Sequence, residues 1–247
     1  MMRPVMRFWA MVLIAVPLFG RAAEPERLVL QRLPCVRDAG ALDHGMRQWA
    51  WEAMKRTSLL VSMETAAVDP ERPELFLSPF AIWACRGAVT LPSEAAAANL
   101  RRFLVMGGFL LADDESAGDD PAFEESLRQA LDRILPGRAL EPVSPDHVLF
   151  RSFFLLRGTF GRRAARQLFG IELNGRLSVL VSRADLLGAV ARDHFGNWEA
   201  ICEPDGEDQR ERTFRLLVNI LQYATCLDYK DDRVHLPFIL RRRKVLP

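Results

Sequence analysis

With 247 residues, 49% hydrophobic and 26% charged, the chain has the makeup of an ordinary folded protein, which excludes wholesale disorder. A formal net charge of +1 supplies no long-range field to draw in nucleic acid or anionic lipid, so neither is expected as a partner. The length suits one domain with a full core and some elaboration.

Residues 1–23 have the layout of a secretory leader. Arg3 and Arg7 are positive, Phe8 to Phe19 form an uncharged apolar run of 12 residues, and cleavage is offered at Ala22 or Ala23. Such a run falls short of the roughly 20 residues that cross a bilayer, which favours a cleaved signal peptide over an N-terminal anchor. No later segment reads as a membrane span. The expectation is an exported, periplasmic chain in which residues 24–247 form a single α/β domain with an N-terminal elaboration and a basic tail. Export permits disulfides. Cys35, Cys85, Cys202 and Cys226 lack CxxC spacing, so no zinc cluster is expected. Cys85, inside the apolar run FAIWAC, reads as a buried free thiol. A Cys202–Cys226 bridge is disfavoured by roughly 30 Å of intervening helix, and spacing settles no connectivity.

RLVLQRL, Arg27 to Leu33, reads as a first strand ended by Pro34. Met46, Trp49, Ala53 and Met54 predict a helix over His44 to Leu60. ELFLSPFAIWACRGAV follows as a buried strand made irregular by Pro79. Ser93 caps a helix with Ala96, Leu100, Phe103 and Leu104 on one face, stopped by Gly107 and Gly108. Strand FLLA then runs into the acidic loop DDESAGDD. Asp120 and Pro121 open the next helix, with Phe123, Leu127, Ala130, Leu131 and Ile134 at helical spacing. DHVLF and SFFLL are short extended candidates. Arg176 to Val181 is a strong strand leading to Ser182, Arg183 and Asp185. Asp208 caps a long helix buried through Phe214, Leu217, Val218 and Leu221, and RVHLPFIL is an edge-strand candidate. Strands alternating with capped helices indicate an α/β fold with an open, mostly parallel sheet flanked by helices.

Several runs carry a family resemblance. PFAIWACRGAVTLPSEAAAANLRRFLVMGGFLLADD, DPAFEESLRQALDRILPGRALEPVSPDHVLFRSFF, IELNGRLSVLVS and RTFRLLVNILQYAT together resemble the bacterial domain of unknown function 4159. The fold this implies is similar to the class I glutamine amidotransferase-like sheet, with flavodoxin-like layering. In the enzymes of that fold, a strand like Phe109 to Ala112 enters an elbow bearing a nucleophilic cysteine. Here Asp113 and Asp114 stand at that place and Ser116 follows two residues on, so the resemblance implies no glutamine amidotransferase chemistry. Ala84-Cys85-Arg86-Gly87 also departs from the Gly-His-Gly-like turn that the resemblance would place there.

In an open α/β sheet the ligand crevice lies just past the carboxyl ends of the strands. Asp113 and Asp114 are placed there, either binding a cation or sugar hydroxyls, or capping a turn. His147 and Arg151 either approach the same crevice as acid–base and anion-binding groups, or form a turn and an ion pair. Ser182, Arg183 and Asp185 come to its edge. A Ser182–His147–Asp185 triad would lack the GxSxG elbow. Asp193 and His194 read as a surface loop rather than a metal pair. Trp49, Trp51 and Trp198 read as core before sugar-stacking platforms. Gly107-Gly108-Phe109 is not a phosphate cradle, and no cofactor is expected. The leading expectation is a non-catalytic module that binds a small polar ligand or an envelope protein partner. The rival is a periplasmic hydrolase using Asp113 or Asp114 with His147, around a divalent cation. A third reading docks the basic run Arg241 to Lys244 onto a complex.

Overall fold

The computed structural model describes residues 27–36, 41–164 and 167–225. The leader, Cys226, RVHLPFIL and the Arg241 to Lys244 run lie outside the described residues. Seven strands form one open sheet: β1 (Gln31–Arg32), β2 (Ala66–Ala67), β3 (Phe80–Cys85), β4 (Phe109–Asp114), β5 (Glu141–Pro142), β6 (Phe169–Leu173) and β7 (Arg176–Ser182). Their order is β2-β1-β3-β4-β7-β6-β5, parallel from β2 to β7 and antiparallel at β6 and β5. The α/β class with a mostly parallel sheet between helices is the architecture expected.

Both faces of β3, β4 and β7 are buried, which is why these strands read as continuous apolar runs rather than alternating ones. On one face Phe80, Ile82, Phe109, Leu111 and Leu180 pack under α1 (Ala41–Arg56), α4 (Leu186–Val190) and α5 (Gly206–Thr225). On the other, Ala81, Trp83, Leu110, Ala112, Val179 and Val181 pack under α2 (Glu94–Val105) and α3 (Pro121–Ile134). No helix among the described residues is long and apolar enough to cross a membrane.

The caps of α2 and α3 follow the sequence, whereas Asp208, expected as a cap, lies inside the first turn of α5, which begins at Gly206. The Ser93 hydroxyl accepts the Ala96 amide at 3.1 Å, and the Asp120 carboxylate accepts the Ala122 amide at 2.9 Å. Gly107 takes φ +111°, and a Cβ on Gly108 would lie 2.5 Å from the Phe103 ring. The double glycine therefore turns α2 tightly back into β4. Other expectations are corrected. The strand expected over Arg27 to Leu33 reduces to Gln31–Arg32, with Leu28 bridging Val61. Pro73–Leu77 is a 3-10 turn, because Pro73 lacks the amide a strand ladder needs and suits a first turn instead. DHVLF and SFFLL are not extended. Val148–Arg151 is a 3-10 turn capped by His147, held under α5 by Asn219, which bonds Leu149, Phe154 and its amide. Asn174 and Gly175, both at positive φ, make a tight hairpin between β6 and β7, so β6 is a strand that the sequence reading passed over.

Cys85 is also corrected. It is bonded to Cys35, tying the loop after β1 to the end of β3, whereas among the described residues Cys202 is the buried free thiol.

Candidate functional site

The register aligns Cys85 of β3 with Asp114 of β4, and Asp113 of β4 with Ser182 of β7, so all three strands end at one edge. Asp113 and Asp114 complete β4 rather than opening the loop after it. Side chains alternate along a strand, so the two carboxylates leave the sheet on opposite faces.

Asp114 serves the turn. Its carboxylate accepts the Ser116 amide (2.9 Å), the Ser116 hydroxyl (2.6 Å) and the Gly118 amide (2.9 Å). The Ser116 hydroxyl in turn accepts the Asp120 amide at 3.0 Å, so this loop is closed on itself. Asp113 is fully buried, accepts the Leu187 amide through Oδ2 at 3.0 Å, and leaves Oδ1 without a hydrogen-bond partner among the described residues. Burial, then the charge of nearby Asp185, push its carboxyl up to about 8, against the Leu187 and Leu186 amides and the Ser182 hydroxyl. Asp185 is raised by burial too, but it bonds the Arg162 guanidinium and the Gly188 amide. Arg162 therefore makes Asp185 the ionised member of the pair and Asp113 the neutral one.

Above this edge lies a cleft of about 460 Å³, lined by Arg86, Glu115, Ser116, Asp119, Arg162, Asp185 and, from the far side, Glu199. Its parts come from the residues just after each strand. Arg86 follows β3 and is exposed; Glu115 follows β4, and its amide donates to the Cys85 carbonyl at 3.1 Å. Asp185 follows β7 at φ +53° and caps α4. Arg162 arrives on a separate segment whose amide donates to the Asp185 carbonyl at 3.0 Å. That approach requires Gly161, where a Cβ would lie 2.3 Å from the Ala184 carbonyl oxygen. The Gln209 side chain fastens the same segment through the Gly161 carbonyl (2.7 Å) and the Glu203 carbonyl (2.8 Å).

Glu115 is only 6% exposed, yet its carboxyl forms no hydrogen bond or ion pair with a described residue. Burial raises it to about 7, helped by the Asp185 and Asp114 charges and opposed by Arg86 and Arg32. Arg86 likewise forms no hydrogen bond or ion pair with a described residue. The cleft thus holds one uncommitted guanidinium and one uncommitted acid that titrates near neutrality.

The other sequence candidates do not converge here. His147 packs on Tyr223 at 5.4 Å, and the Tyr223 hydroxyl accepts the Leu177 amide, near the opposite end of β7. Ser182 lies five residue steps beyond Leu177 along the strand, which is about 16 Å. Neither the His147–aspartate pair of the hydrolase reading nor the Ser182–His147–Asp185 triad is assembled. His147 Nδ1 accepts the Leu149 amide at 3.1 Å, leaving Nε2 towards Glu172 at 3.9 Å. Arg151 donates to the Asp146 carbonyl. Arg183 pairs with Glu124 at 2.7 Å and covers the Phe169 ring, facing a groove beside α3. Ser182 is fully buried, and its oxygen accepts the Ala184 amide. Asp193 is spent on its own loop through the Phe195 and Asn197 amides. Trp49 is core, Trp51 is 52% exposed, and Trp198 lies under the Arg192 and Arg210 guanidiniums. No group of three metal-ligating side chains is gathered among the described residues.

Of the seven sequence candidates, only Asp185 lines the cleft. Arg86, Glu115 and Arg162 were missed. Strand-end logic applied one residue later would have found Arg86 and Glu115, because each immediately follows its strand. Nothing local marks Arg162, which reaches the edge from 23 residues before its partner.

No curated protein matches this chain. Residues 37–225 match the family described as Domain of unknown function (DUF4159), and with more than three quarters of its length inside that match the chain belongs to this family.

Proposed function

We propose that this protein is an exported, non-catalytic binding module that takes a small polar ligand in the cleft above β3, β4 and β7. One observation carries the reading: Glu115, only 6% exposed at the cleft wall, has a carboxyl with no hydrogen bond or ion pair to a described residue, and Arg86 beside it has none either. A hydrogen bond to a charged group such as the Arg86 guanidinium contributes about 1.5–3 kcal/mol, a gain that a ligand in the cleft can take up. Binding is favoured over catalysis because the hydroxyls at hand, Ser116 and Ser182, are tied into backbone turns. Export is supported by the leader-like N-terminus and by the Cys35–Cys85 bridge, a bond that persists in oxidising compartments. On this reading the chain after the leader acts as one α/β unit on an amidotransferase-like scaffold.

The test is thermal unfolding of the full chain against a panel of sugars, organic acids, amino acids and nucleotides. A ligand at a hundred times its Kd adds about 2.7 kcal/mol to the folded state and raises Tm. The expected result is a shift from at least one class that disappears in Arg86→Gln. A flat panel contradicts the reading. Export predicts the chain in the periplasmic fraction with Cys35 and Cys85 protected from alkylation, and recovery from the cytoplasm with both thiols alkylated contradicts it.

A further inference from the structure

We infer that the cleft ligand is a monosaccharide-sized hydroxy acid, its carboxylate on Arg86 and a hydroxyl on the Glu115 carboxyl. This rests on the cleft being a ligand site, and it follows from which polar groups there are already engaged. Asp185 holds Arg162, Asp119 holds Arg163, and Glu199 holds His44 at 2.5 Å. Ser116 is closed onto Asp114 and the Asp120 amide. Arg86 and Glu115 are what the wall leaves for a ligand.

A guanidinium is always charged, and its planar fork of donors matches a carboxylate in two parallel bonds. One uncommitted guanidinium suits a single negative charge. A phosphate dianion would meet the carboxylates of Asp119, Asp185 and Glu199 around the same walls. An ammonium group is also a poor match, since Arg86 and Arg162 both line the cleft and burial holds back ionisation of Glu115. A hydroxyl, which both donates and accepts, satisfies Glu115 in either protonation state. A divalent cation has no gathered ligand set among the described residues. The space of about 460 Å³ lies within the range of small-ligand sites, roughly 300–1,000 Å³, and exceeds what a three-carbon acid fills.

Titration calorimetry on the full chain with D-glucuronate, D-gluconate, D-glucose and D-glucosamine tests the assignment. The expected result is binding of at least one acid, with glucose and glucosamine at least tenfold weaker. Arg86→Gln should weaken the acid at least tenfold, and Glu115→Gln should weaken it less, with circular dichroism and Tm confirming that both variants fold. Equal or tighter binding of glucose or glucosamine overturns the class, and so does an acid affinity unchanged in Arg86→Gln. Absence of acid binding at millimolar concentration also overturns it. If another class on the thermal panel shifts Tm in an Arg86-dependent way, the cleft stands as a binding site and only the hydroxy-acid assignment falls. If none does, both fall.

Discussion

Asp113→Asn removes one titrating group from the carboxyl end of β4 while keeping its shape. In the unfolded chain this carboxyl titrates at its ordinary 3.8, and in the fold it is held up to about 8. Between those values the unfolded chain has lost the proton and the folded chain retains it. The stabilisation is therefore complete below the unfolded value and is lost as pH rises towards the folded one, at up to about 1.4 kcal/mol per pH unit. From pH 5 to pH 7 the loss is about 3 kcal/mol. Asn keeps an oxygen for the Leu187 amide but carries no titrating proton, so this slope disappears. Urea unfolding of both proteins across pH 5 to 7 provides the comparison, since histidines and other shared groups cancel in the difference. The wild-type free energy should fall more steeply with pH, by close to one proton's worth. Parallel curves would refute a neutral Asp113, and with it the assignment of the charge to Asp185.

Replacing Cys35 and Cys85 by Ser opens a loop spanning 50 residues and should lower stability by about 4 kcal/mol, read from denaturant midpoints; no loss under oxidising conditions would show that the bridge does not form. Asn219→Leu strips the side-chain partner from the Phe154 carbonyl and amide, leaves the Leu149 carbonyl only the Ser152 hydroxyl, and should cost at least about 2 kcal/mol. Rapid amide exchange at Phe154 in this variant is the local check, and retained protection there would contradict the clamp. Gly161→Ala forces a methyl into the Ala184 carbonyl and should push the Arg162 segment off Asp185. A Tm within a degree of wild type would mean that the close approach is not needed.

The sheet was legible because its central strands are buried on both faces and leave uninterrupted apolar runs between capped helices. FLLA and RLSVLV could hardly pack any other way, and Ser93 and Asp120 announce helices with side chains that satisfy amides two or three residues on. The short pieces were not legible. Leu149 and Phe150 are buried in a 3-10 turn, and apolarity alone does not separate such a turn from a strand; Asn219, some 70 residues away, decides it. The hairpin was written in Asn174-Gly175, a pair suited to positive φ, and was passed over in favour of the stronger strand beyond it. The site was half legible. Strand ends located the right edge of the sheet, but the eye-catching Asp113-Asp114 pair is consumed by Leu187 and by the loop from Ser116 to Gly118. The residue that faces the cleft is the next acid, Glu115. His147 could not be placed from sequence, since only the packing of Tyr223 against it assigns it to the opposite end of β7.

Carbon-13 titration of the Glu115 side-chain carboxyl, in the wild type and in Arg86→Gln, tests the central claim most directly. A buried acid facing Arg86 across an open cleft should titrate near 7 and move higher once the guanidinium is removed. A midpoint in the ordinary range around 4.5, unmoved by Arg86→Gln, would mean that Glu115 is solvated or paired, and the cleft would lose the group on which its function rests.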